Sequence, residues 1–226
     1  MYTLPVFPLQ TVLFPKTPIH LHIFEDRYKK MIRHVLESDL LFGVCLIRTG
    51  VEAYGPLPKP YPVGCTARII EVQPLAEGKM NLTAIGEERF HIRSFVQQTP
   101  YLIAEVENHP FHQIHTLETL KLKNVLFEYL FEYVRLQGVF EFSTHDSETL
   151  NLFLEELKES EDLSSTLFLT ASLLQIPSYE KQQLLEKESI PHFMKQLIQI
   201  LRREIVLQKR IFWHSEPIVN RIARLN

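Results

Sequence analysis

L-P-V-F-P-L-Q-T-V-L-F-P-K-T-P-I-H-L-H-I-F-E-D-R-Y-K-K-M-I, running from Leu4 to Ile32, packs four prolines, two short apolar runs and an acidic helix start into one unit. Proline fixes φ and has no backbone N–H, so Pro5, Pro8, Pro15 and Pro18 direct the flanking segments to sheet edges, turns and strand starts. Central strands of a large parallel sheet are not expected, by the same argument. After Phe24 the apolar period lengthens from two to about 3.6, with Phe24, Tyr28, Ile32 and Val35 on one helical face. Glu25 and Asp26 occupy the first turn, where negative charge suits the helix dipole.

Outward from this stretch the chain divides by its punctuation. Six of the seven glycines and eleven of the fourteen prolines precede residue 111, so turn and strand-edge chemistry belongs to the first half. Short strands are expected at Tyr2 to Phe7, Ile19 to Ile23, Phe42 to Ile47, Thr66 to Val72, Met80 to Ile85, Arg89 to Val96 and Leu102 to Val106. In Arg89 to Val96, Phe90, Ile92 and Ser94 alternate with His91, Arg93 and Phe95, which makes one face partly wet. Leu75 to Lys79 reads as a hairpin turn whose Gly78 takes φ > 0. The G-P-L-P-K-P-Y-P run from Gly55 to Pro62 favours extended, polyproline-like backbone and predicts an exposed loop.

From Leu117 the pattern turns helical, with helices expected at Leu117 to Leu136, Asp146 to Lys158, Asp162 to Leu174, Tyr179 to Lys187 and Ile190 to about Phe212. Ser178 after Pro177 and Ser189 before Ile190 read as helix starts. In the last helix Met194, Leu197, Leu201 and Ile205 make an apolar stripe. The expected fold is therefore α+β: a small β-barrel of about six to seven strands with one embedded helix over residues 1–115, then an α-helical bundle over 116–226.

Three segments in fixed order resemble the Lon N-terminal domain family, the substrate-recognition domain of ATP-dependent Lon proteases, also found in cereblon and in free-standing bacterial proteins. The first is L-P-V-F-P-L with Phe14-Pro15 and F-E-D-R-Y, contributing Pro5, Pro8, Pro15, Phe24, Glu25, Arg27 and Tyr28. V-G-C-T-A-R-I-I-E-V follows with Gly64, then G-K-M-N-L-T-A-I-G-E-E-R-F with Gly86, Arg89 and Phe90. L-L-Q-I-P-S-Y-E-K-Q-Q-L-L-E from Leu173 to Glu186 resembles the helical end of the same region. The resemblance covers nearly the whole chain, is weakest between about 107 and 160, and implies a PUA-like barrel.

Charge is uneven. Residues 1–115 carry 11 basic and 11 acidic side chains, residues 116–201 carry 7 and 14, and residues 202–226 carry 6 and 2. A neutral first half has no broad footprint for a phosphate backbone. No apolar run reaches the roughly 18 residues of a membrane span, and the N-terminus lacks the regions of a signal peptide, so a cytoplasmic location is expected. Cys45 and Cys65 lie in apolar segments without a Cys-x-x-Cys and read as reduced, buried small hydrophobes.

The sequence carries no catalytic signature of the common hydrolase or nucleotide-binding kinds. No G-x-x-x-x-G-K-[ST] loop is present, no room is left for a Ser-Lys peptidase module, and no G-x-S-x-G elbow occurs, so neither an enzyme nor a cofactor is expected. His109, His112 and His115 form H-x-x-H-x-x-H, a spacing able to chelate a metal; Pro110 argues against a regular helix there, and a solvated linker is the plainer reading. His20 and His22 share a strand face near Glu25 and Arg27, which read as a structural ion pair or helix-start contacts rather than a catalytic set.

The resemblance implies a non-catalytic module that recognises exposed or unfolded segments of client proteins, with a separate protease or chaperone as a further partner. A barrel beside helices offers grooves for an extended peptide. The candidate groove residues are Phe42, Tyr54, Leu57, Tyr61, Tyr101 and Phe111, with the Gly55 to Pro62 loop ahead of any one side chain. An alternative is an RNA-binding module using the basic tail, with Arg202, Arg203, Lys209, Arg210, Arg221 and Arg224. A small-ligand enzyme on the barrel is the third reading. Client identity and oligomeric state stay open.

Overall fold

The prolines of Tyr2–Leu9 do not keep it out of the sheet, because this strand, β1, is paired on one side at a time. Residues 2–6 pair with Leu102–Asn108 and residues 6–9 with Leu41–Thr49, so Pro5 and Pro8 each sit where one edge is unpaired. The computed structural model describes residues 1–52, 55, 58–111, 117–138, 160 and 162–215. Its elements are β1, β2 (Pro18–Ile23), α1 (Asp26–Leu36), β3 (Leu41–Thr49), β4 (Lys59–Pro60), β5 (Val63–Pro74), β6 (Met80–Gln97), β7 (Leu102–Asn108), α2 (Leu117–Gly138), α3 (Leu163–Leu173), α4 (Ser178–Leu185) and α5 (Ile190–Ser215). The helix expected at Asp146 to Lys158 lies outside the described residues.

The sheet has seven strands in the order β1-β7-β6-β5-β3-β4, with β2 on β6. A parallel β1–β3 pairing, Val6 opposite Gly43, returns the sheet on itself and closes the expected barrel. Two strands predicted on either side of Gly86 are one bent 18-residue strand, β6. A bulge in its pairing with β5 between Cys65 and Ala67 absorbs the bend. There the Thr66 hydroxyl accepts from Glu88 N at 3.0 Å and donates to Glu88 O at 3.2 Å, replacing the interrupted ladder. The proline run also differs from expectation, since Lys59 and Pro60 form a two-residue strand opposite Thr49 and Ile47. Pro60 tolerates this because β4 is an edge strand.

Two segments of the resemblance meet in space at Gly86. Phe14-Pro15-Lys16-Thr17 makes a turn with Pro15 second, Lys16 at φ 63°, and Thr17 N donating to Phe14 O at 3.3 Å. Lys16 N donates to Gly86 O at 2.7 Å and Gly86 N to Thr17 O at 2.9 Å. A Cβ at Gly86 would lie 2.2 Å from Phe14 O, so only glycine admits this approach. The same holds at Gly64, where a Cβ would stand 2.5 Å from both Val44 O and Cys45 Sγ.

The chain forms two compact units, one of residues 1–112 with 167–188 and one of residues 113–166 with 189–226. In the first unit α1 buries Tyr28, Met31, Ile32 and Val35 against a core that includes Phe7, Ile23 and Phe42. Four such side chains contribute about 6–12 kcal/mol as an upper estimate. Phe90 centres a second cluster with Leu4, Val6, Ile92 and Val106. In the second unit α2 packs on α5, and the predicted stripe of Met194, Leu197, Leu201 and Ile205 is buried. Glu118 pairs with Lys195 at 2.6 Å and Glu132 with Lys209 at 2.5 Å. Each second partner is fourteen residues farther along its own helix, so α2 and α5 run parallel and in register. Among the described residues no helix is long and apolar enough to cross a membrane.

Candidate functional site

The Gly55 to Pro62 segment is sewn to the barrel at both ends. Arg27, in the first turn of α1, pairs with Glu25 at 2.9 Å, as expected for these two residues. It also donates to Gly55 O at 3.1 Å and Glu52 O at 3.2 Å, so the helix start holds the loop backbone. At the far end Tyr61 N donates to Leu46 O at 2.8 Å, and Pro62 O accepts from Ile92 N at 2.7 Å.

Two concavities flank this anchored segment. The larger, about 760 Å³, is lined by His22, Phe24, Glu25, Arg27, Gly55 and Lys79. Its charges are largely spent on neighbours: besides Glu25–Arg27, Asp26 pairs with Lys29 and Glu77 with Lys79, each at 2.7 Å. The hydrogen bond from Lys29 holds the Asp26 carboxyl below its ordinary range, and Lys79 does the same for Glu77. The second, about 500 Å³, has Arg48, Lys59, Pro60, Phe95, Gln98 and Leu102 among its walls. Among the described residues no acidic side chain lines it.

The predicted groove residues do not form one surface. Phe42 is 0% exposed in the core, and Tyr101 is 8% exposed with its hydroxyl 2.8 Å from His34 Nδ1. Burial raises the Tyr101 phenol above its ordinary pKa. Phe111 stacks on Phe168, with centroids 5.1 Å apart and planes at 11°. Tyr61 is half-buried beside the second concavity's strand β4, while Tyr54 and Leu57 lie outside the described residues. Phe24 precedes α1, its ring 5.9 Å from that of His22. Arg48, Lys59 and Phe95 were missed as site candidates. The outward alternation of Phe95 in β6 was the one available signal.

Arg89, a motif residue of the third segment, is 4% exposed and meets no carboxylate among the described residues. Its guanidinium donates to Leu185 O at 2.8 Å and Lys187 O at 2.5 Å, capping the C-terminus of α4. The Phe111 ring lies 3.9 Å beneath its Cζ and Phe168 5.5 Å away. Burial pulls its pKa down to about 10, which still leaves it charged at neutral pH. Gln182 Nε2 donates to Val63 O at 3.0 Å and Ser178 Oγ to Gln10 O at 3.0 Å, so Ser178 fastens α4 to the barrel instead of capping it. These bonds make the 167–188 segment part of the first unit.

His20 and His22 bond across to Thr83 Oγ1 at 3.1 Å and Asn81 Oδ1 at 2.7 Å on β6. His109 is described, whereas His112 and His115 lie outside the described residues. Cys45 and Cys65 are buried and free, and burial pushes both thiols well above their ordinary pKa. Several cations of the basic tail are spent internally: Arg202 lies 4.7 Å over Tyr129, Arg203 pairs with Glu204 at 2.8 Å, and Lys209 with Glu132. Arg221 and Arg224 lie outside the described residues.

Residues 3–203 match the family described as the ATP-dependent protease La (LON) substrate-binding domain. The Lon protease of Syntrophus aciditrophicus (strain SB) is 32% identical over 108 residues, which are 46% of this chain and 14% of that protein. The Lon protease of Anaeromyxobacter dehalogenans (strain 2CP-C) is 25% identical over 203 residues, 89% of this chain and 23% of that protein. The matched stretches thus span less than a quarter of the length of either relative. A solved Lon N-terminal domain protein from Xanthomonas campestris is similar at a TM-score of 0.59 and 25% identity, covering 89% of this chain and 98% of that one. The N-terminal domain of Mycobacterium avium complex Lon protease shares the fold at a TM-score of 0.66 and 19% identity, over 89% of this chain and 98% of that one.

Proposed function

Since the chain belongs to the family of ATP-dependent protease La (LON) substrate-binding domains, we propose that it binds exposed or unfolded segments of other proteins and performs no catalytic step on them. The observation that carries this reading is the anchored Gly55 to Pro62 segment with a concavity on either side. Both volumes fall in the range of roughly 300–1,000 Å³ typical of ligand clefts. Gly55 is held by Arg27, and Tyr61 and Pro62 are held by β3 and β6, so an extended segment meets fixed points whose ordering cost is already met. Tyr61 is the aromatic we assign to client contact. Phe42 and Tyr101 are core side chains of the barrel. The reading carries with it a cytoplasmic location and hand-over of the captured segment to a separate protease or chaperone.

Fluorescence anisotropy with unfolded, carboxymethylated proteins and a peptide array tests this. Saturable binding is expected at about 10 μM or tighter, corresponding to about −7 kcal/mol. Replacing Gly55 to Pro62 by a glycine-serine linker should weaken it at least tenfold. Absence of saturable binding up to about 100 μM would sink the reading.

A further inference from the structure

The two concavities differ in a way that bears on which segments bind. In the larger one cation and anion are matched, so it presents little unbalanced field. In the smaller one Arg48 and Lys59 are exposed, and neither has a hydrogen-bond or ion-pair partner among the described residues. Phe95, 39% exposed, and Leu102 add an apolar wall, and Gln98 a neutral polar group. Along one side runs β4, an end strand of the sheet order.

We propose that this concavity recognises polypeptide segments in which an acidic side chain stands beside a large apolar one. The carboxylate lies between Arg48 and Lys59 and the apolar side chain packs on Phe95. The inference rests on the peptide-binding reading above and narrows it to a class of client. The carboxylate belongs to a side chain rather than a chain end, because that reading concerns internal stretches of unfolded proteins. Two exposed cations on one carboxylate are worth a modest, salt-sensitive gain. Each contact resembles an exposed ion pair of roughly 0.2–1 kcal/mol, so the pair gives about a two- to thirtyfold preference.

The test uses the full chain and two fluorescent peptides, both N-acetylated and C-amidated so that chain ends contribute nothing. One carries Phe-Glu steps and the other the isosteric Phe-Gln steps. Expected is a roughly tenfold tighter Kd for the glutamate peptide at low salt, shrinking toward unity at about 0.5 M salt. In the Arg48→Gln, Lys59→Gln variant, whose changes are at the surface, the two peptides should bind equally. Phe95→Ser should weaken both. If both peptides bind the wild-type chain equally, the charge preference is wrong while peptide binding stands. If the preference persists in the double variant, the site is elsewhere. If neither peptide binds, the peptide-binding reading fails and this inference falls with it.

Discussion

Replacing Arg89 by methionine removes a buried charge yet should destabilise the protein. The side chain supplies two charge-assisted bonds, to Leu185 O and Lys187 O, at the C-terminal end of α4. Leaving two buried acceptors without a donor costs about 1–3 kcal/mol each, so about 2–6 kcal/mol together. Part of this is offset, because the guanidinium is desolvated without a carboxylate to compensate it. The net expectation is a loss of about 2–4 kcal/mol, or roughly 5–15 °C in Tm for a chain of this size. Methionine keeps an apolar body against Phe111 and Phe168, so the loss isolates the hydrogen bonds from packing. Arg89→Lys, a point charge that reaches one carbonyl at a time, should lose about half as much. The assay is urea denaturation combined with hydrogen exchange, in which Gln182 to Lys187 should lose protection before β5 and β6 do. Stability of Arg89→Met within about 0.5 kcal/mol of the wild type would refute the reasoning, since the carbonyls would then be satisfied without the guanidinium.

Gly86→Ala should cost about 3 kcal/mol by forcing the Phe14 carbonyl away from a Cβ placed 2.2 Å from it, read as a lower urea midpoint with unchanged slope. An unchanged midpoint would mean that the Pro15 turn yields freely. Stability should also fall as the medium is acidified past His109, whose pKa is depressed first by burial, then by the charge of Arg89, with His91 adding to it and the backbone of Glu186 and the Glu188 carboxylate opposing. A group with a depressed folded pKa contributes stability above its unfolded value, about 6.5, that is lost as pH drops through the folded one. The urea midpoint should therefore decline below about pH 6.5, and His109→Gln should flatten that decline; identical profiles for the two proteins would contradict the assignment.

The barrel was legible because its signals are local. Period-two alternation marks β6, prolines mark the ends and half-paired stretches of β1 and β2, and Gly78 marks the hairpin at φ +67°. The stripe on α5 was equally plain. Illegible were features whose cause is distant in sequence. Arg89 read only as a strand start and a motif residue, and the carbonyls that bury it lie 96 and 98 positions away. Phe42 and Tyr101 read as groove aromatics because side-chain type does not reveal which face of a closed barrel a strand presents. β6 read as two strands because Gly86 punctuates it, whereas the bulge opposite Thr66 carries the strand through the bend. Arg48 and Lys59 gave no sign at all, since two cations 11 positions apart become neighbours only when β4 folds back on β3.

The docking of α4 under Arg89 also sets a clock on biosynthesis. A ribosome releasing about 5–20 residues per second completes β7 well before the 76 residues from 113 to 188 have followed. For about 4–15 s the nascent barrel carries a guanidinium meant for burial and the naked faces of Phe14 and Phe111. During that interval the chain is itself an exposed, unfinished segment, whose barrel is complete in its strands but still lacks the helix that covers its buried cation.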